Sequence, residues 1–184
     1  LDYREPYFLA PNLSLNFDGQ AWQAREPVYA TNQVGGRVTL RYQRSQQQFF
    51  TVSLQNEYQR SSITPEALLD FTVRDDLIAL GLDPRGDITD GTLTAVAFDI
   101  NRNTTNNLLD ARSGYLLTGR VEKAGKWLAG TYDYWGVGGE GRHFLSIANR
   151  AVLANRLRGA TTMAAGDVDL NVPFYKRYFV GGAA

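Results

Sequence analysis

Residues 34–43 read VGGRVTLRYQ, a stretch in which apolar and polar side chains alternate. The even positions carry Val34, Val38, Leu40 and Tyr42, and the positions between them carry arginine, threonine and glutamine. Successive side chains of a β-strand point to opposite faces, so a period of two predicts a strand with one apolar and one polar face. Similar alternation predicts further strands at 12–21, 50–59, 94–101, 115–122, 135–147 and 151–158, and a short eighth strand is expected at 1–8.

The connections between these predicted strands alternate in length. Short ones are expected at 9–11, 44–47 and 148–150; longer ones are expected at 23–33, 60–90, 123–131 and after 163, with an intermediate, polar one at 102–112. Outer-membrane barrels combine short periplasmic turns with longer outer loops, whereas a soluble meander has no reason to sort its loops by side. The sequence therefore predicts an all-β fold, an antiparallel up-and-down transmembrane β-barrel to which this chain contributes about eight strands. A soluble β-rich binding domain stays open, because alternation alone does not identify the solvent on each face.

The connection at 60–90 carries a helical signal. Thr64 suits a helix cap, Pro65 suits the first helical position, and the residues at 66–69 are good helix formers. We expect a short helix within a long outer loop.

Composition argues against several classes of function. Lys plus Arg and Asp plus Glu number 19 each, so the net charge of zero gives no electrostatic reason to expect nucleic acid as a partner. Cysteine is absent, which removes disulfides, thiolate metal sites and cysteine nucleophiles. The single histidine, His143, has no partner at the spacing of a metal site or a catalytic triad. We expect a protein that is not an enzyme, with no catalytic residue, metal or cofactor.

Two features concern the interior of the predicted barrel. The glycine-rich stretch 136–141 lacks the Lys-Ser/Thr and the following helix of a phosphate loop, so its glycines are expected to permit bending and close approach of another segment. Arg120 and Glu122 share one strand face, as do Arg156 and Arg158. A lipid-facing arginine near the bilayer midplane costs about 2–4 kcal/mol, so these four side chains are expected to face the lumen. They would line a wet interior or hold a loop that folds inward.

Three parts of the second half carry a family resemblance. The stretch 99–114 has the length and closing glycine of a periplasmic turn. The pair 132–147 and 152–159 is similar to the strand before the next short turn and the strand after it, the second with alternating arginines. The stretch 172–183, VPFYKRYFVGGA, resembles the start of a long sixth outer loop. Together they resemble the BamA/TamA outer-membrane-protein assembly family, also called the bacterial surface antigen family.

The resemblance implies a place in the barrel for each of these parts. Residues 1–184 would be one partial outer-membrane barrel domain, the middle eight strands of a barrel of roughly sixteen, with further chain expected at both ends. The start of the sixth outer loop would occupy 164–184. Its root would comprise Pro173, Phe174, Tyr175, Tyr178, Phe179, Gly181 and Gly182. The periplasmic turn would comprise Asp110, Arg112, Ser113 and Gly114.

The resemblance also implies a function at the bacterial outer membrane: assembly or insertion of β-barrel proteins, or polypeptide translocation. The implied partners are outer-membrane lipids, unfolded outer-membrane client proteins, and accessory assembly lipoproteins or an inner-membrane partner. A passive channel, a two-partner secretion pore and the barrel anchor of a patatin-like lipase use a similar barrel, and they stay open as alternatives.

Overall fold

The chain folds into β-strands joined by turns and loops. The computed structural model describes residues 1–25, 29–64, 67, 69, 72, 88–107, 109–148, 151–166, 172–173 and 176. The strands in these residues are β1 (Asp2–Glu5), β2 (Leu13–Arg25), β3 (Tyr29–Ser45), β4 (Gln48–Ile63), β5 (Ile88–Asn103), β6 (Gly114–Ala124), β7 (Tyr134–Ala148) and β8 (Ala151–Ala164). A short 3₁₀ helix, Lys126–Leu128, follows β6. Among the described residues, no helix has both the length and the apolar character needed to cross a membrane.

The strands form one sheet in chain order. Every neighbouring pair from β1 to β8 is antiparallel. This up-and-down meander confirms the predicted fold class. In the part of the chain that the structure describes, β1 and β8 each have a partner on one side only.

The β2–β3 hairpin is longer than the sequence pattern predicted. Its pairing runs from Leu13 opposite Tyr42 to Arg25 opposite Ala30. The long connection expected at 23–33 is therefore wrong, because only residues 26–28 separate the two strands. Apolar alternation marks the part of a strand that faces an apolar solvent, whereas the backbone hydrogen bonds of the ladder can continue beyond it with polar side chains on both faces.

The two-residue connections lie at one end of the sheet and the longest connection lies at the other, as predicted, whereas 104–113 and 125–133 are of similar length. The strands are separated at one end by residues 6–12, 46–47, 104–113 and 149–150, and at the other by 64–87 and 125–133 as well as 26–28. We call the first end the short-turn end. The helix expected within 60–90 lies largely outside the described residues. Its described start has the Ala67 N–H donating to the Thr64 carbonyl at 3.1 Å.

The two faces of the sheet have opposite polarity, and the polar face is the buried one. Ser53, Gln55 and Glu57 on β4 are each 4% exposed, whereas Val52 and Leu54 on the other face are 47% and 45% exposed. A soluble sheet would bury its apolar face instead. A polar inner face and an apolar outer face are the arrangement of a barrel wall whose outer surface meets lipid. We call these the inner and outer faces.

The outer face carries an apolar belt of side chains in register. One rung across β2 to β5 consists of Leu15, Leu40, Val52 and Phe98, and the next consists of Phe17, Val38, Leu54 and Val96. One rung farther from the short-turn end, Asn56 and Thr94 lie opposite each other, and the Asn56 amide donates a 2.7 Å hydrogen bond to Thr94 Oγ1. This bond gives two outward polar groups a partner between apolar rungs, since Val34 and Tyr58 lie opposite each other one rung farther on.

Candidate functional site on the inner wall

A buried carboxylate lies at the centre of the inner face of β5 to β8. Glu122 on β6 is 4% exposed. Its Oε1 accepts a 2.6 Å hydrogen bond from the Tyr134 hydroxyl on β7, and its Oε2 accepts a 2.7 Å bond from Arg120 Nη2. Arg120 Nη1 lies 2.9 and 3.0 Å from the two carboxylate oxygens of Asp99 on β5. The strands thus hold a chain of charged hydrogen bonds, the kind that carries the largest net energies in proteins.

Lys176 brings a distant part of the chain to this carboxylate. Its Nζ lies 3.2 Å from Oε1 and 3.4 Å from Oε2 of Glu122, across 54 positions of sequence. The backbone is held as well, because Lys176 N–H donates to the Pro173 carbonyl at 2.9 Å and the Thr162 hydroxyl of β8 donates to the Lys176 carbonyl at 3.2 Å. We call the described residues 172, 173 and 176 the inner segment.

An apolar cluster beside Glu122 receives the start of the inner segment. Val172 is 8% exposed and packs with residues of the inner face, namely Leu93, Ala95, Ala124 and Tyr134, with Tyr132 and Ala164 at the edge. Pro173 is also buried. Small residues leave room for this contact, since Gly136 lies opposite Glu122 and Thr162 on neighbouring strands.

Tyr132, in the loop before β7, closes one side of the cluster. A Cβ on Gly91 would lie 2.6 Å from its hydroxyl oxygen, so the ring occupies the space that a side chain at position 91 would take. Burial, and after it the nearby Asp90 carboxylate, raises the pKa of the Tyr132 phenol above its ordinary value. The phenol therefore stays neutral at physiological pH and adds no charge at the edge of the apolar cluster.

A second charged group lies nearer the short-turn end of the same face. Glu140 on β7 forms ion pairs with Arg142 on its own strand and with Arg156 on β8, the latter at 2.9 Å. Arg158 lies directly opposite Glu140. Of the four residues expected to face the lumen, Arg120 and Glu122 thus belong to the first group, and Arg156 and Arg158 to the second.

The turn between β5 and β6 is held by side-chain hydrogen bonds. Asn106 Oδ1 accepts the N–H groups of Arg112 and Ser113 at 2.9 and 3.1 Å, and the Arg112 carbonyl accepts a 2.8 Å bond from the Ser146 hydroxyl. Asp110 pairs with Arg112 at 3.1 Å on the surface. Gly114 closes the turn with φ +97°, a conformation that favours glycine.

Most of the predicted loop root lies outside the described residues. These are Phe174, Tyr175, Tyr178, Phe179, Gly181 and Gly182. Pro173 is described and buried. His143 is exposed on the outer face, opposite Tyr115 and Asn155. Within the described ranges, no group of three or more His, Asp or Glu side chains is placed to hold a metal ion.

Sequence reasoning missed Lys176, Tyr134 and Asp99 as members of the Glu122 group. Asp99 faces Arg120 directly in the β5–β6 register, so an exact strand register would have paired them. Tyr134 and Lys176 have no such signal, because their contacts with Glu122 depend on how a strand end and a later segment fold over the inner face.

The sheet and its inverted polarity define the chain as part of a membrane barrel wall. The family described as the Omp85 superfamily domain matches residues 1–184, and the chain belongs to that superfamily. A solved structure of similar fold is "The crystal structure of BamA from Haemophilus ducreyi lacking POTRA domains 1-3", with a TM-score of 0.73 and 19% identity. The match covers 98% of this chain and 35% of that one, so this chain spans about a third of its length. A comparison with curated proteins finds no match. The predicted resemblance to the BamA/TamA family is confirmed.

Proposed function

We propose that the full chain assembles or inserts β-barrel proteins, or translocates polypeptides, at the bacterial outer membrane, and that it does so without enzymatic chemistry. Membership of the Omp85 superfamily and the apolar outer face support this proposal. The client would be an unfolded outer-membrane protein, and lipids would surround the belt. Accessory assembly lipoproteins or an inner-membrane partner would act from the short-turn side.

One observation carries the proposal beyond a generic barrel: the inner face holds a segment of its own chain. Lys176 reaches Glu122, and Val172 enters the apolar cluster. The segment ties β6 to a part of the chain 54 positions later. A barrel that opens for a client needs a wall that stays rigid while unpaired strand edges are offered elsewhere, and an internal brace supplies such rigidity.

The contacts of the inner segment also suggest a role for the predicted loop. We propose that 164–184 is the start of the sixth outer loop and that Pro173, with the aromatic and glycine residues after it, forms its root. The turn at Asp110, Arg112, Ser113 and Gly114 would face the periplasm. The two-residue connections 46–47 and 149–150 lie on that side and the longest connection, 64–87, lies on the other, in keeping with the general asymmetry of outer-membrane barrels.

The proposal is tested by following the folding of an unfolded outer-membrane barrel into liposomes that contain the full chain. We expect faster folding than into empty liposomes. Lys176→Met should reduce the acceleration several-fold, because Glu122 loses a cation, whereas Lys176→Arg should retain it. Lys126→Met, at an exposed lysine in the β6–β7 connection, is the matched control and should have no effect.

The same liposomes separate the alternatives. Absence of acceleration, together with a steady ionic conductance, would favour a passive channel. Absence of acceleration with hydrolysis of the lipids would favour the lipase anchor. If Lys176→Met leaves the acceleration unchanged, the ion pair between Lys176 and Glu122 is not needed for assembly, whereas the assembly function itself still stands.

A further inference from the structure

Three arginines surround one carboxylate on the inner face at the short-turn end. Arg142 and Glu140 lie on β7, and Arg156 and Arg158 lie opposite them on β8. We call these four residues the arginine patch. Glu140 accepts from Arg142 through Oε1 and from Arg156 through Oε2, so both of its oxygens are engaged.

The patch has more positive than negative charge. Three arginines against one glutamate leave an excess of two positive charges within it. Arg142 lies directly opposite Arg156, a like-charge pair that the register alone would disfavour. Arg158 has no ion-pair partner among the described residues.

Two other acids on the inner face of β5 to β8 already have cationic partners. Asp99 is bound by Arg120, and Glu122 is bound by Arg120 and Lys176. The Arg142 and Arg156 side chains nevertheless remain 44% and 55% exposed, and Arg158 is exposed too. The guanidinium groups are therefore accessible to a further anion.

The surface next to the patch has little side-chain relief. Gly138 and Ala160 lie opposite each other, one rung from Glu140 and Arg158 toward Glu122. The inner segment begins only at the next rung, where the Thr162 hydroxyl bonds the Lys176 carbonyl. An extended chain can lie flat on such a surface with its carboxylates over the arginines, which bind carboxylates in fork geometry.

We propose that the arginine patch is a binding surface for an acidic, extended polypeptide that enters the lumen from the short-turn end. This inference rests on the proposed function, because it makes that polypeptide the client in transit. Charge complementarity is the reason for the choice: an excess of exposed guanidinium in a cavity with low-dielectric walls attracts carboxylates from solution.

The test uses the full chain in liposomes and fluorescent synthetic peptides of equal length, rich in Asp, in Lys or in Ser, and measures binding by anisotropy. The Asp-rich peptide should bind, and added salt should weaken the binding. Replacing Arg142, Arg156 and Arg158 by Gln together should weaken it about tenfold or more, since charged hydrogen bonds are lost. Arg60→Gln, at an exposed position on the outer face of β4, is the control and should not change it.

Glu140→Gln gives a second test, in which peptide binding is expected to change in the opposite direction. It removes the internal competitor for Arg142 and Arg156, so the Asp-rich peptide should bind more tightly than to the unchanged protein. Equal binding of the Asp-rich and Ser-rich peptides would overturn the inference. So would binding of the Asp-rich peptide that survives the triple replacement, because other groups would then hold the peptide. The client-folding assay on the same liposomes distinguishes the two proposals. Peptide binding without accelerated folding would contradict only the assembly function. Accelerated folding without peptide binding would contradict only the role of the arginine patch.

Discussion

The hydroxyl of Tyr134 on β7 donates a 2.6 Å hydrogen bond to Glu122 on β6, and both side chains are almost fully buried. The two residues are diagonal neighbours, since Tyr134 lies opposite Ala124 in the register. Because Glu122 also binds Arg120 and Lys176, this bond joins the apolar cluster to the ionic contacts that hold the inner segment.

Replacing Tyr134 by Phe should destabilise the full chain by about 1.5–3 kcal/mol, the usual worth of a hydrogen bond to a charged group. The ring would still fill its place in the cluster, so the loss would report the hydroxyl. The free energy of unfolding in denaturant, measured in lipid or detergent, gives the value.

Tyr3→Phe is the matched control for this change. The Tyr3 hydroxyl also bonds a glutamate, Glu5, but at 3.2 Å and on an exposed surface. Its loss should change the free energy of unfolding by less than about 0.5 kcal/mol. Equal effects of the two replacements would show that burial does not strengthen the Tyr134 bond.

Gly35 lies where β3 and β4 approach each other on the inner face. A Cβ there would lie 2.6 Å from the Asn56 carbonyl oxygen and 2.7 Å from Glu57 Cα, so backbone would have to move. Gly35→Ala should therefore destabilise the barrel by about 1–3 kcal/mol, as overpacking does. Gly159→Ala, where no atom lies within 4 Å, should be close to neutral. The comparison of both unfolding midpoints checks the expectation, and equal midpoints would contradict it.

Leu54 distinguishes a lipid-facing belt from an ordinary exposed surface. It is 45% exposed on the outer face, where a soluble sheet would tolerate arginine. In a membrane barrel, Leu54→Arg should cost about 2–4 kcal/mol near the midplane. The fraction of full chain that folds into lipid vesicles is the measurement. Leu109→Arg, at a 99% exposed position in the turn between β5 and β6, is the control and should fold like the unchanged protein.

Gly114 determines the geometry at the end of the turn before β6. At φ +97° an L side chain is strained, so Gly114→Ala should cost about 1–3 kcal/mol. Gly141→Ala, whose Cβ would make an ordinary 3.9 Å contact with Leu117, is the comparison. The midpoints of thermal unfolding of the two variants in lipid are the measurement. A Gly114→Ala protein with an unchanged midpoint would mean that the turn can adopt another conformation.

The limits of prediction are visible in particular residues. The alternation at 34–43 predicted β3 and the face to which Arg37 belongs, and the same argument placed Arg120 and Glu122 on one face of β6. It failed at 23–33, where β2 and β3 continue beyond the apolar belt and alternation no longer reports pairing. The helix in the long connection and most of the loop root stay predictions.

The amino-acid sequence alone determined the period of two in the strands. With that period it determined the strands, their order in an up-and-down sheet and their two faces, because these features depend on neighbours along the chain. Only the tertiary structure decided that the polar face is the buried one, that Lys176 and Val172 reach β5 to β8, and that Arg158 lies opposite Glu140 without joining its ion pairs. Those contacts join residues that are distant in sequence, and burial, register and the return of a loop onto the wall are properties of the whole sheet.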